Sequence, residues 1–435
     1  MFCQLEVLRH CFPPSVRHIL EELPDSLDET YERILREIRK PNQEHALRLM
    51  HCLVAAVRPL QLEELAEVLA FDFNAEGIPK LNPDWRWEDK EEAVMSSCSS
   101  LVMIVKDGDS RVVQFSHFSV KEFLTANRLV EPIKDVSRYH IRREAAHTIL
   151  AQACLGVLLR MGDRMNAYNI KDFPLARYAG DYWPAHARVE NVSSHIKDGM
   201  ECLFDEDKPH FATWLWISKK EYQRGRGYIP MITPFPKKPE AVPLYRAAMH
   251  GFRDLAEHLI AEHPEHVHAR GGAEMYPIHV AARRGHADIL SLLLDHGADV
   301  DGRNDNSQTP LHRASYFGEV DAGQILLDRG ADIHARDWWE KTPLFTAAEE
   351  LEVEFVQMLL KHGARINDRD HLKNTPLHLA VERGSIRPAC QTVRLLLEHG
   401  ADVNARNYAG WTPSDRTSNQ EILELMSEYS AKSVT

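Results

Sequence analysis

The sequence predicts a mainly α protein whose second half is a solenoid of stacked helix pairs and whose first half carries one β-hairpin among helices. Three features carry that prediction. Prolines at 243, 277, 310, 343, 376 and 413 recur at spacings of 34, 33, 33, 33 and 37 residues, and Gly-Ala pairs run in phase with them at 297, 330, 363 and 400. Elsewhere apolar residues mostly keep helical spacing, and only 101–105 and 112–115 read as strands, with Asp107-Gly108 between them. Finally, 435 residues at 44% hydrophobic and 27% charged content exclude a single small fold and predict two or three domains.

In chain order, 23–39 reads as the first helix. Pro24 and the run Ser26-Leu27-Asp28-Glu29 form a capping box, in which the Ser hydroxyl and Glu carboxylate satisfy free backbone donors. Helices follow over 42–57 and 62–70 and, after a proline-bearing loop with Trp85 and Trp87, over 91–97. The two β-rich runs then form a hairpin, because Asp-Gly supplies the tight turn. Helices followed by a hairpin predict a winged-helix domain over 1–130. Apolar residues at helical spacing (Ile149, Ala153, Val157; Leu175, Tyr178, Trp183; Phe211, Trp214, Leu215) predict a helical adaptor over 131–218. Residues 219–241 interleave Arg224, Arg226, Lys237 and Lys238 with four prolines, which predicts a semi-extended basic linker.

From 242 to 429 the repeat unit explains itself physically. Thr309-Pro310-Leu311-His312 opens a helix, with Thr at the N-cap and Pro in the first turn, where its missing N–H costs nothing. Small residues such as Ala281-Ala282 and Ala347-Ala348 let a second helix approach, and Gly285, Gly318 and Gly384 stand where the first helix ends. The second helix carries a leucine-rich triplet and stops at Gly297, Gly330, Gly363 or Gly400. Leu351 stands where the third full repeat would have its helix-ending Gly, and 385–390 stretches one period to 37. Units 242–268 and 411–429 read as caps, which a stack requires because each repeat buries its faces only against neighbours.

Thr309-Pro310-Leu311-His312, Gly330-Ala331-Asp332 and their counterparts resemble the ankyrin repeat, over about 241–428. The resemblance implies an ankyrin-repeat α-solenoid of about five to six units whose concave face and loop tips bind protein partners. In the first half, Leu23-Pro24-Asp25-Ser26-Leu27-Asp28-Glu29, Arg58-Pro59-Leu60-Gln61-Leu62, Ser97-Cys98-Ser99-Ser100-Leu101 and Phe115-Ser116-His117-Phe118-Ser119 resemble the winged helix named after GPI inositol-deacylase. That segment follows the NACHT nucleotide-binding domain in fungal NLR-like proteins. The chain starts where the NACHT module would end. The resemblance therefore implies either an interaction scaffold or the sensor half of a nucleotide-gated protein whose ATPase lies upstream or on another, NACHT-containing chain. His117 is expected to fill a structural core position.

Charge and motifs narrow the function classes. A net charge of −13 and an acidic helix before the hairpin (Glu88, Asp89, Glu91 and Glu92 against Lys90) argue against nucleic acid and anionic membranes. Apolar runs are too short for a membrane span, no secretory signal is visible, and the seven scattered cysteines form no CxxC pair, so the expected place is the cytoplasm. Without GxxxxGK[ST], GxSxG or HExxH, no catalytic or cofactor-binding residue is assigned, and no enzyme or cofactor is expected. His279, His312 and His378 fall in the Thr-Pro-Leu-His slot, where imidazoles bond neighbouring backbone; His258, His263, His266 and His268 lack a firm frame, so no metal ligand is assigned either.

The expected site is a protein-binding surface. Counting back from each Thr-Pro places hairpin-tip pairs at Asp305-Asn306, Trp338-Trp339, His371-Leu372 and Tyr408-Ala409. Two adjacent exposed tryptophans are costly unless a partner covers them, which makes Trp338 and Trp339 the expected hot spot. Arg283, Arg284, Tyr316, Phe317, Glu349, Glu350, Glu382 and Arg383, near the C-terminal ends of the first helices, extend that surface. The competing expectation is that one Trp packs onto a neighbouring repeat or the helical segment.

Overall fold

A computed structural model describes residues 26–74, 77–98, 100–108, 110–126, 129, 136–161, 170–224, 241–271, 275–382 and 387–432. Residues 1–239 and 240–435 form two compact units. Among the described residues no helix is long and apolar enough to cross a membrane.

In the first unit, Ser26 caps α1 (Leu27–Glu37), its hydroxyl accepting from the Glu29 N–H at 3.2 Å. Such a cap contributes about 1 kcal/mol. There follow α2 (Gln43–Ala55), β1 (Leu60–Gln61), α3 (Leu62–Leu69), the short ladder of β2 (Phe71–Asp72) with β3 (Lys80–Leu81), and α4 (Lys90–Cys98). The hairpin of β4 (Val102–Asp107) and β5 (Ser110–Phe115) pairs Val102 with Phe115 and Asp107 with Ser110, and Gly108 takes φ +58° at the turn. Its strands outrun the apolar cores 101–105 and 112–115, because polar Lys106, Asp107, Ser110 and Arg111 continue the ladder. β1 adds beside β5, giving the order β1-β5-β4, the winged-helix arrangement in which the first strand pairs with the last. Two-residue strands such as β1 and β2 are too short to show alternation, so sequence pattern misses them.

α5 (Phe118–Thr125) leads to α6 (Arg143–Arg160), α7 (Ala176–Ala187), α8 (Val192–His195), α9 (Lys197–Phe204) and α10 (His210–Arg224). Trp183, Phe204, Phe211 and Trp214 cluster at ring separations of 5.2–6.2 Å, and the Trp214 indole donates to the Gly180 carbonyl at 2.9 Å. The winged-helix segment and these helices share one interior. Arg58 grips Glu64 with two bonds of 2.6 and 2.8 Å and lies 4.9 Å over the Tyr178 ring, while the Tyr178 hydroxyl accepts from the Val57 N–H at 3.0 Å. Buried Glu67 accepts from the Leu175 N–H at 2.8 Å.

Two details differ from expectation. α10 runs six residues into 219–241 because Lys219, Lys220, Glu221 and Gln223 are good helix formers and the prolines begin only at 230; residues 225–240 lie outside the described residues. His117 is exposed rather than in the core. It stands at the surface start of α5, where its Nδ1 accepts from the Ser119 N–H at 3.3 Å, so its role there is a helix cap.

The second unit is a row of helix pairs: α11 (Pro243–His250) with α12 (Arg253–Glu262), α13 (Pro277–Arg283) with α14 (Ala287–Asp295), α15 (Pro310–Phe317) with α16 (Val320–Asp328), α17 (Pro343–Glu350) with α18 (Val353–Lys361), and α19 (Pro376–Glu382) with α20 (Arg387–Glu398). A 3-10 turn, Pro413–Arg416, and α21 (Gln420–Lys432) close it. First helices stack on first helices and second on second. Gly285 and Gly318 end α13 and α15 at φ +67°, and an added Cβ would collide with the carboxylates of Glu319 and Glu352. Leu351 takes the same left-handed conformation at φ +64°, a cost of about 1–2 kcal/mol that burial of its side chain offsets. Gly384 lies outside the described residues.

Buried histidines join successive repeats. The Thr309 N–H donates to His312 Nδ1 at 3.2 Å, which puts the proton on Nε2, and Nε2 donates to the Lys341 carbonyl at 3.0 Å. His378 repeats this with Thr375 and the Trp411 carbonyl, at 3.1 Å each, and His279 Nε2 reaches the Gln308 carbonyl at 2.9 Å. Burial pushes His279 and His312 down to about 4, and His378 down as well, so all three work as neutral donors. Phe345 fills the slot in the fourth repeat with a fully buried ring, and in the loops that follow the Asn374 amide donates to Asp370 at 3.0 Å and the Asn407 amide to Asn374 at 2.9 Å.

Candidate protein-interaction surface

Each hairpin tip is organised by one buried Asp or Asn. Asn304 Oδ1 accepts from the N–H groups of Asn306 and Gln308, Asp337 Oδ1 from Trp339 and Lys341, Asp370 Oδ1 from Leu372 and Asn374, and Asn407 Oδ1 from Ala409 and Trp411, all at 2.8–3.0 Å. The tips then bond to one another. The Trp338 N–H donates to the Asn306 carbonyl at 3.0 Å, His371 to Trp339 at 3.1 Å and Tyr408 to Leu372 at 2.9 Å. Arg303, Arg336 and Arg369 each reach across to the carbonyl of the next arginine at 2.6–3.0 Å. The result is a fixed backbone ladder running along the tips.

On that ladder stand the expected residues. Trp338 is 72% exposed, Trp339 43%, Leu372 49% and Tyr408 70%, with Trp411 beside them at 52%. Neither tryptophan is buried against a neighbouring repeat. Asp305 is engaged within the chain, paired with Arg270 at 2.9 Å, and His371 bonds the Trp339 carbonyl through Nδ1 at 3.0 Å. Asn306 is exposed and contributes its backbone to the ladder.

The first-helix residues divide. Arg283 lies 4.8 Å over the ring of Phe317, and Arg313 lies 5.5 Å over both Tyr316 and Phe317. Tyr316 and Phe317 are themselves exposed and tilted against each other at 4.8 Å. Further along, Glu349 is held by Lys341 at 2.6 Å and Glu382 by Arg416 at 2.6 Å. These two acids are thus tied to the tip side rather than offered as bare charge. Arg284 is exposed and Glu350 half-buried, and Arg383 lies outside the described residues.

Sequence reasoning misses Arg246 and Arg313. Each is the fourth residue from the opening proline of its helix, and Arg283 and Tyr316 are each the seventh, so one face of the first helices collects them. The signal is legible as a position recurring within the repeat. Among the histidines set aside, His263 precedes a 3-10 turn (Pro264–His268) and stacks on His266 within it, and with Glu265 their ligand atoms lie within 4.8 Å of one another; His258 instead faces Glu262 at 3.4 Å.

Comparison with known proteins agrees with this geometry. Residues 244–337 and 334–407 match the family model of ankyrin repeats, and residues 31–132 match the winged helix domain of GPI inositol-deacylase. The chain contains ankyrin repeats and a winged-helix domain of that type. One curated relative, "Azaphilone pigments biosynthesis cluster protein L" of Monascus ruber, is 30% identical over 293 residues, which are 63% of this chain. The match spans 60% of that relative's length. The ankyrin repeats indicate a role in protein interaction.

Proposed function

We propose that this chain is a noncatalytic interaction scaffold. The ankyrin stack recognises a protein partner across its hairpin tips and inner face, and the winged-helix unit couples that event to assembly. The observation that carries the reading is the row of Trp338, Trp339, Leu372 and Tyr408, exposed on a backbone ladder. Large aromatic side chains held at a rigid edge lose little entropy on binding, and such residues dominate interface energies. The test is affinity capture with the native chain and with a Trp338→Ala/Trp339→Ala variant. A partner retained by the first and lost by the second, with both chains melting alike, supports the reading; equal capture defeats the hot spot.

A second reading makes the chain the sensor half of a nucleotide-gated protein whose NACHT ATPase lies upstream or on another chain. The winged-helix match beside ankyrin repeats favours it. Transcripts running upstream of Met1 into a frame with a phosphate-binding loop would support it.

A further inference from the structure

Resting on the reading of the repeats as a protein-binding surface, we infer that the inner face of the first three repeats holds a slot for an acidic side chain. The slot is formed by Arg283 and Arg313 on the ring platform of Tyr316 and Phe317, and its ligand is an Asp or Glu carboxylate on an extended segment of a partner protein. Both guanidiniums lie within 5.5 Å of the Phe317 ring, so two like charges share one aromatic side chain. Neither has a carboxylate partner among the described residues. Arg313 reaches only the Gln308 amide oxygen, at 3.3 Å, and the Nε atoms of both arginines are buried with nothing to donate to. Burial and the proximity of Arg283 both push the Arg313 guanidinium down from its ordinary value.

The surroundings add to the charge. The buried Tyr245 side chain lies in the field of Arg283 and Arg313 together with Arg246 and Arg284, of which Arg284 also faces Glu319, in a chain whose net charge is −13. Leaving Arg283 and Arg313 without an acid is unfavourable in the free protein, and a ligand carboxylate removes that cost. The terminal N–H groups of a guanidinium held over a ring can still meet a planar carboxylate with two parallel bonds. The flanking Tyr316 and Phe317 supply apolar contact for the residue next to the acid. An acidic protein segment fits this arrangement, whereas a nucleic acid would meet repulsion over most of the molecule.

The experiment is a fluorescence-anisotropy titration of the full chain at low salt. The probes are a short labelled peptide centred on Glu-Leu-Glu, its Gln-Leu-Gln counterpart, its phosphoserine counterpart and a single-stranded RNA. The expected result is that only the Glu peptide saturates. Binding should fall about tenfold in Arg283→Met, which keeps the contact with Phe317 and removes the charge, and should persist in Trp338→Ala/Trp339→Ala. Equal binding of the Gln peptide, tighter binding of the phosphoserine peptide or of RNA, or an unchanged Arg283→Met would overturn the slot. Loss of partner capture at the tryptophans alone, with no peptide binding, would remove the slot and leave the broader reading standing.

Discussion

Two halves of the ankyrin stack solve the same problem differently. In the second and third repeats the inner face crowds Arg283 and Arg313 together with no acid between them, and the joints to the next repeats are made by His279 and His312. In the fourth and fifth, Glu349 and Glu382 are held by Lys341 and Arg416, and Phe345 replaces the histidine in the fourth while His378 keeps the joint in the fifth. One stack thus carries two crowded arginines in its early repeats and two acids paired within the chain in its late ones. The contrast is between repeats whose buried guanidinium N–H groups lack an acceptor among the described residues and repeats whose acids are paired within the chain.

The largest expected effect is acid sensitivity of the early joints. His279 and His312 stay neutral in the folded stack down to about 4, while the unfolded chain binds a proton near 6.5. Between those values protons favour unfolding. Stability is therefore full above pH 6.5, falls as the pH descends and levels off below about 4. Each site contributes about 1.4 kcal/mol per pH unit within that window, so the pair removes a few kcal/mol. Hydrogen exchange at about pH 5, corrected for intrinsic rates, should open segment 277–317 before 343–374. Opening in the reverse order would break the contrast between the two kinds of joint.

A smaller effect, of the opposite sign, is expected at the slot. Arg283→Met removes one of two crowded charges and retains a sulfur–aromatic contact with Phe317. We expect it to stabilise the chain by about 0.5–1 kcal/mol, or roughly 2–4 °C per kcal/mol in the thermal midpoint. Functional sites commonly carry such local cost. A clear loss of stability would mean that Arg283 serves the fold, and the distinction between the two halves would lose its main support.

Much of the stack is legible in the amino-acid sequence. The period of 33 sets out the helix pairs, and counting back from Thr-Pro places Trp338, Trp339, Leu372 and Tyr408 at the tips where they stand exposed. What escapes depends on contacts between repeats. Asp337 and Asp370 are ordinary acids in sequence, yet the fold buries them as the organisers of their loops. Glu349 and Glu382 read as open surface charge because their cations lie eight and 34 residues away. Arg313 gains meaning only when the next repeat's helix is laid beside that of Arg283. His117 reads as a core residue because sequence does not show which turn of the backbone begins at the surface.

The smallest expected effect tests the closed half. The Glu382 side chain is 52% exposed and that of Arg416 17%, and they meet at 2.6 Å, with Arg416 also 5.9 Å over the Trp411 ring. Solvent screens such a pair, so Glu382→Gln should cost only about 0.5 kcal/mol at low salt, and the difference should vanish near 1 M salt, where the screening length is about 3 Å. Urea unfolding of both chains at the two salt levels measures this. The sign matters more than the size: removing an acid from the late repeats should weaken the stack, whereas removing a base from the early repeats should strengthen it. If both substitutions weakened it equally, the early arginines would be as well satisfied as the late carboxylates, and no unmet charge would remain for a partner to meet.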